Sequence, residues 1–149
     1  MAQATDLRIL AAIALEILSK ISEQRSLPVV QVCGPIATGG FDTVEKNLMV
    51  FGIGIRILNA HGHNVFDQTI FQNDILRITQ HNPDDGEYKT EILDDFFTKI
   101  FRSGHITAGY FLPGWKSSTG SVWEYELLTS LGIPCHEMPK DWFHGVFVH

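Results

Sequence analysis

Apolar residues recur at Leu7, Leu10, Ala11, Ala14, Leu15, Leu18 and Ile21. That spacing is one face of an α-helix and predicts a helix over 6–24. Pro28 ends the pattern. The run VVQVCGPI (29–36) then predicts a buried strand entering a glycine-bearing loop. A helix is expected over about 42–60, with Asp42 as N-cap and Glu45 three residues on. HNVFDQ (63–68) reads as a second strand and 70–80 as a short helix. The Asn-Pro and Asp-Gly steps of 81–89 mark a loop. The stretch 90–104 reads as a helix stopped by Gly104, and HITAGYFL (105–112) as a third strand. A helix to about Leu131 and a fourth strand over 132–138 complete the chain.

Strands that alternate with helices predict an α/β fold. The expected architecture is a doubly wound, flavodoxin- or Rossmann-like parallel sheet of about four to five strands with helices on both faces. An extra N-terminal helix precedes it. At 149 residues the chain is read as one domain, 28–149, with a helical extension over 1–27. Ligands of such sheets bind beyond the carboxyl ends of the strands. Two loops of unusual content fall on that edge, GPIATGG (34–40) after the first strand and PGWKSSTGS (113–121) after the third. Their shared edge is the first reason to expect one site.

Composition narrows the partners. The chain is 44% hydrophobic and 19% charged, enough for an ordinary core. A net charge of −6 argues against binding a nucleic-acid polymer, which needs a basic footprint. A small anion remains possible, because helix N-terminal amides can hold a phosphate. No apolar run is long enough to span a membrane, and the first residues lack the basic start of a signal peptide. Cys33 and Cys135 form no CxxC pair and are read as buried thiols of a reducing compartment, hence a cytoplasmic location. The seven histidines show no tight ligand spacing, and His61 and His63 stand one residue apart, so no metal or other cofactor is expected.

The loops carry the candidate chemistry. Gly34, Gly39 and Gly40 allow a sharp turn and close backbone approach to a ligand, although an ordinary strand-to-helix turn needs the same. With Ser118 as N-cap, helical spacing puts Gly120, Glu124, Leu127, Leu128 and Leu131 on one inward face, with Glu126 opposite in solvent. A carboxylate on an inward face is costly unless something uses or satisfies it. Two readings of Glu124 stand side by side: a catalytic group at the cleft, or the last member of a capping box Ser121-Val122-Trp123-Glu124. Ser117 and Ser118 could equally be caps. Trp115 offers either a platform for a planar ring or simple packing. Asp67 and Gln68, at the end of the second strand, could read a base or a ribose hydroxyl, or form a strand-end turn. Tyr88 in the 81–89 loop could belong to a lid. The aromatic tail DWFHGVFVH could pack on the core or on a neighbour.

The segments GPIATGG, VEKNL and above all LPGWKSSTGSVWE resemble the nucleoside 2-deoxyribosyltransferase superfamily, including its deoxynucleoside 5'-monophosphate N-glycosidases. The resemblance covers roughly 29–134. Its most specific part is a serine six positions before a glutamate with a glycine between, matched by Ser118, Gly120 and Glu124. It implies cleavage of an N-glycosidic bond by hydrolysis or transfer, with Glu124 as nucleophile and Asp95 or its neighbour Asp94 as second carboxylate. It implies substrate binding by Gly34, Pro35, Ile36, Gly39, Gly40, Trp115, Ser118 and Gly120. The implied partner is a small nucleoside or nucleotide, and the family habit implies a homodimer or higher homo-oligomer. Two alternatives accompany this expectation: a nucleotide sensor that keeps the pocket without turnover, and a hydrolase of another nucleotide such as NAD.

Overall fold

A computed structural model describes residues 6–25, 27–36, 40, 43–79 and 92–143. Four strands, β1 (Val29–Cys33), β2 (Asn64–Phe66), β3 (Ile106–Phe111) and β4 (Cys135–Glu137), form one sheet in the order β2-β1-β3-β4. All neighbouring strands run parallel. Helix α1 (Leu7–Arg25) precedes β1, and α2 (Val44–Ala60), α3 (Gln72–Thr79), α4 (Thr98–Arg102) and α5 (Thr119–Ser130) lie between the strands. The α/β class, the parallel sheet and the helices on both faces agree with the hydrophobic pattern.

Side chains alternate across the strands and split the core into two layers. Val29, Cys33, Phe66, Ile106 and Phe111 pack under α1, α3, the 93–101 segment and Leu128 of α5. Val30, Val32, Leu112 and Met138 pack against α2 and Phe143 on the other face. The alternation shifts by one at the start of β3. Val29 pairs with Ile106 but Val30 with Ala108, so Thr107 is an extra residue whose hydroxyl donates to Val29 O at 2.9 Å. The N-terminal helix is part of this core. Leu7, Leu10, Ala11, Ala14 and Leu18 are all buried against the 93–97 turn, β2 and α4.

Local chemistry differs from expectation in three places. The α2 N-cap is Thr43, whose hydroxyl accepts from Lys46 N at 3.1 Å; Asp42, the expected cap, lies outside the described residues. The helix expected over 90–104 opens with a π-helical turn, Leu93–Phe97, before α4. Its wide turn closes on Leu93 O, which also accepts the Thr98 hydroxyl at 2.8 Å, and both Phe96 and Phe97 are buried. The stretch 70–80 begins as a 3-10 turn, Gln68–Phe71, nucleated by Asp67. The 81–89 loop with Tyr88, Gly39, and the last six residues of the aromatic tail lie outside the described residues.

Gly109 sets how closely α5 approaches the sheet. A Cβ there would stand 2.6 Å from Leu128 Cδ1 and 3.2 Å from Phe111 Cε1. Gly109→Ala is therefore expected to destabilise by about 1–3 kcal/mol through overpacking. Urea denaturation checks this; an unchanged midpoint would mean that α5 is free to lift.

Candidate functional site

The central strands β1 and β3 lie side by side, but β1 leads to β2 on one edge and β3 leads to β4 on the other. The two connections diverge, which opens a crevice at the carboxyl ends of β1 and β3. Both loops singled out in the sequence leave from that point. Gly34 permits the contact between them, since a Cβ on it would stand 2.5 Å from Leu112 Cδ1. Pro35 is buried, and the carbonyl of Ile36 accepts from Asn47 Nδ2 at 3.0 Å. Gly40 has φ +72, and an added Cβ would collide with Asn47 Oδ1 and Pro35. Its N–H donates to Ser117 Oγ at 2.8 Å, and Ser117 Oγ donates to Gly114 O at 2.7 Å. The expectation that the two loops form one edge is met by a direct hydrogen bond between them.

The third-strand loop turns at Gly114 (φ +82), makes a 3-10 turn over Trp115–Ser117 and enters α5. Ser118 is the N-cap, with extended backbone, and its hydroxyl accepts from Ser121 N at 3.3 Å. This start fixes the helical phase. Gly120, Ser121, Glu124 and Leu128 are buried, Leu127 and Leu131 half-buried, and Glu126 exposed. It also rules out the capping reading of Glu124. Ser121 is already the third helical residue, so Glu124 lies a turn too deep to close a capping box.

Glu124 is 6% exposed and its Oε2 has no hydrogen-bond partner. The thiol of Cys33, at the end of β1, neighbours this carboxyl. Burial pushes the Glu124 carboxyl up to about 8, against an ordinary value of 4.5; the thiol contact opposes the rise. Burial also pushes the Cys33 thiol up, and the adjoining carboxylate pushes it further, so the sulfur keeps its proton. Two other buried polar atoms lack partners, Gln31 Oε1 on the same face of β1 and Ser121 Oγ one turn before Glu124. Gln31 and Cys33 escaped the sequence reading as site residues. A glutamine inside the apolar run VVQVC was the available signal.

The remaining candidates separate from this centre. Asp95 lies 3.9 Å from Arg8 Nε of α1, and its side chain is 38% exposed. Asp94 is exposed. Among the described residues, no hydrogen bond or ion pair joins either aspartate to Glu124. Trp115 is 8% exposed, stacks on Tyr125 at 4.9 Å and packs on Phe111. Its indole N–H donates to Glu137 Oε1 at 2.8 Å. It is thus a packed residue beside β4, where it lines an open cavity of about 370 Å³ with Lys116, Tyr125, Cys135 and Glu137. Asp67 caps the following 3-10 turn by accepting from Thr69, which is the strand-end turn reading. Gln68 is buried; it accepts from Gln31 Nε2 at 2.8 Å and donates to Val32 O at 3.0 Å.

Comparison of the chain with family models, curated proteins and solved structures found no match. Cys33 is buried and Cys135 half-buried, both as free thiols. Among the described residues, no three His, Cys, Asp or Glu side chains stand together as a metal site, and no helix is long and apolar enough to cross a membrane. His61 and His63 pack instead on Trp142 and Tyr110. What the crevice offers is one desolvated carboxyl with an unused oxygen, beneath two linked loops that carry backbone amides and serine hydroxyls. Such a group can add to an electrophilic carbon or exchange a proton.

Proposed function

We propose that this chain cleaves the N-glycosidic bond of a nucleoside or nucleotide, with Glu124 as nucleophile. The observation that carries the reading is the buried Glu124 carboxyl, whose Oε2 lacks a hydrogen-bond partner. The resemblance in LPGWKSSTGSVWE points to the same residue and bond. In its ionised form Glu124 attacks the anomeric carbon as the base departs and forms a glycosyl ester. Water then releases the sugar, or a second base accepts it. The backbone at Gly34 and the N-terminus of α5, capped by Ser118, would hold the sugar or a 5'-phosphate. A nucleotide of another kind, such as NAD, carries the same type of bond.

A second reading, a nucleotide-binding protein without turnover, is favoured by one observation. The expected second carboxylate, Asp95, is engaged by Arg8. Incubation of the full chain with nucleosides, 2'-deoxynucleosides, their 5'-monophosphates and NAD, with chromatography of the products, separates the two. Free base is the expected product. Ligand binding without released base would overturn cleavage and leave the sensor.

A further inference from the structure

We propose that the outer face of α2 is the surface through which two copies of this chain form an antiparallel, two-fold dimer. That face lies on the side of the sheet away from α5 and Glu124, so the inference stands apart from the proposed reaction. The inner side of α2 belongs to the core, where Asn47, Val50, Phe51, Gly54, Ile55 and Leu58 are buried. A helix that meets only water on its other side should be polar there. Here the outer face between Glu45 and Arg56 is built from Leu48, Met49, Gly52 and Ile53. Met49 is 50% exposed, and Leu48 and Ile53 are half-buried on either side of it. Lys46, the remaining charge of α2, lies off this line.

Two observations point to a second copy as the occupant. The first is Gly52. Its neighbour Gly54 is explained within the chain, because a Cβ there would stand 2.7 Å from Leu112 Cδ2. A Cβ on Gly52 would meet nothing within 4 Å, and its backbone is ordinary helix. Glycine inside a helix is destabilising relative to alanine, and no contact within the chain requires it. A side chain from outside, seated on the bare backbone, does. The second observation is the spacing. Glu45, Met49, Gly52 and Arg56 follow one another at steps of four, three and four residues, the seam of two packed helices. Set a second α2 antiparallel to the first, with the two-fold axis between Val50 and Phe51. Met49 then seats on Gly52 of the partner subunit, and Glu45 meets Arg56 of the partner subunit. The axis repeats both pairs. The seam is complementary to itself in shape and charge, as an isologous contact must be. A parallel pair would set Glu45 against its own copy, and a different protein would need no such self-match. Three helical turns make a small contact beside a standard interface, so the dimer is expected to dissociate on dilution.

Sedimentation equilibrium of the full chain over a wide concentration range tests this. The expected result is twice the mass of one chain at high concentration and a single mass on dilution. Arg56→Glu places like charges at both ends of the seam and is expected to weaken the dimer at least about tenfold. Glu45→Arg should do the same, and the two together should restore the wild-type affinity. Along one helix these residues stand about 16 Å apart, too far to pair within a chain, so that recovery reports a second copy. Gly52→Ala should raise the urea midpoint of the dilute monomer by its helix propensity and yet weaken the dimer. If a charge reversal does not fold, Met49→Gln, which removes the seated side chain, takes its place and should also weaken the dimer. A chain that stays monomeric at every concentration overturns the proposal. So does a dimer that Arg56→Glu, Met49→Gln or Gly52→Ala leaves intact, or a pair of charge reversals that fail to compensate.

Discussion

Glu124→Gln is expected to reduce N-glycosidic cleavage by at least about a thousandfold while the chain stays folded. Glutamine matches glutamate in volume and can donate or accept at the same place, so the packing of α5 on β1 and β3 survives. What it lacks is a negative oxygen that can bond to the anomeric carbon. Because Glu124 does not act as a helix cap, no loss of capping confuses the result. The wild-type rate carries a second signature. The carboxyl is pushed up to about 8, so the nucleophilic form is a minority near neutrality, and the rate should climb with pH and level off above about 8. Initial rates of base release across that range check both points. A variant as fast as the wild type removes Glu124 from the reaction. A wild-type rate that falls through pH 8 would instead make the protonated carboxyl the working form, a proton donor to the leaving base.

The same burial makes Glu124 a liability for folding, and the sign of that effect is testable. In the folded chain the carboxyl titrates at about 8, in the unfolded chain near its ordinary 4.5. Between those values the folded state holds a proton that the unfolded state has released. Stability therefore falls as pH rises from about 4.5 to about 8, and is flat above. Glu124→Gln carries no such charge. It should match the wild type near pH 5 and exceed it at pH 8 and above, by on the order of 3–5 kcal/mol if the full shift is expressed. Paired urea melts at the two pH values provide the measurement. Equal stability at both would mean that water reaches the carboxylate and that Glu124 is not desolvated. A variant that gains stability as it loses activity marks a site where burial serves function.

How much of this was legible in the sequence depends on the range of the interaction. The phase of α5 was, because Ser118, the inward leucines and Glu124 obey a period of about four residues that any sequence displays. The approach of the two loops was also legible, since parallel strands separated by helices put both on the same edge. Contacts between distant segments were not. Arg8 reaches Asp95, and Cys33 reaches Glu124, across most of the chain, and no local pattern records either pairing. Trp115 shows the same limit. Its glycine-flanked loop suggests an open platform, but Tyr125 and Glu137, from the next helix and strand, close over it. The π-helical turn at Leu93–Phe97 shifts a helix by one residue without leaving a mark in the apolar spacing.

The burial of α1 has a consequence for the order in which the chain can be built. Leu7, Leu10, Ala11, Ala14 and Leu18 share one core cluster with Leu93, Phe96, Phe97 and Ile100, and α1 touches the 93–97 turn more than any other element. Those partners are synthesised some eighty residues later. During translation α1 emerges with its oily stripe uncovered, and its cover is complete only once the 93–97 turn and α4 have been made. Such late, long-distance closure slows folding and lengthens the time during which sticky surface meets other chains. A ribosome-stalled chain ending before residue 92 should therefore be a better client for holdase chaperones than the finished protein. α1 is thus made before its cover and locked in place after it.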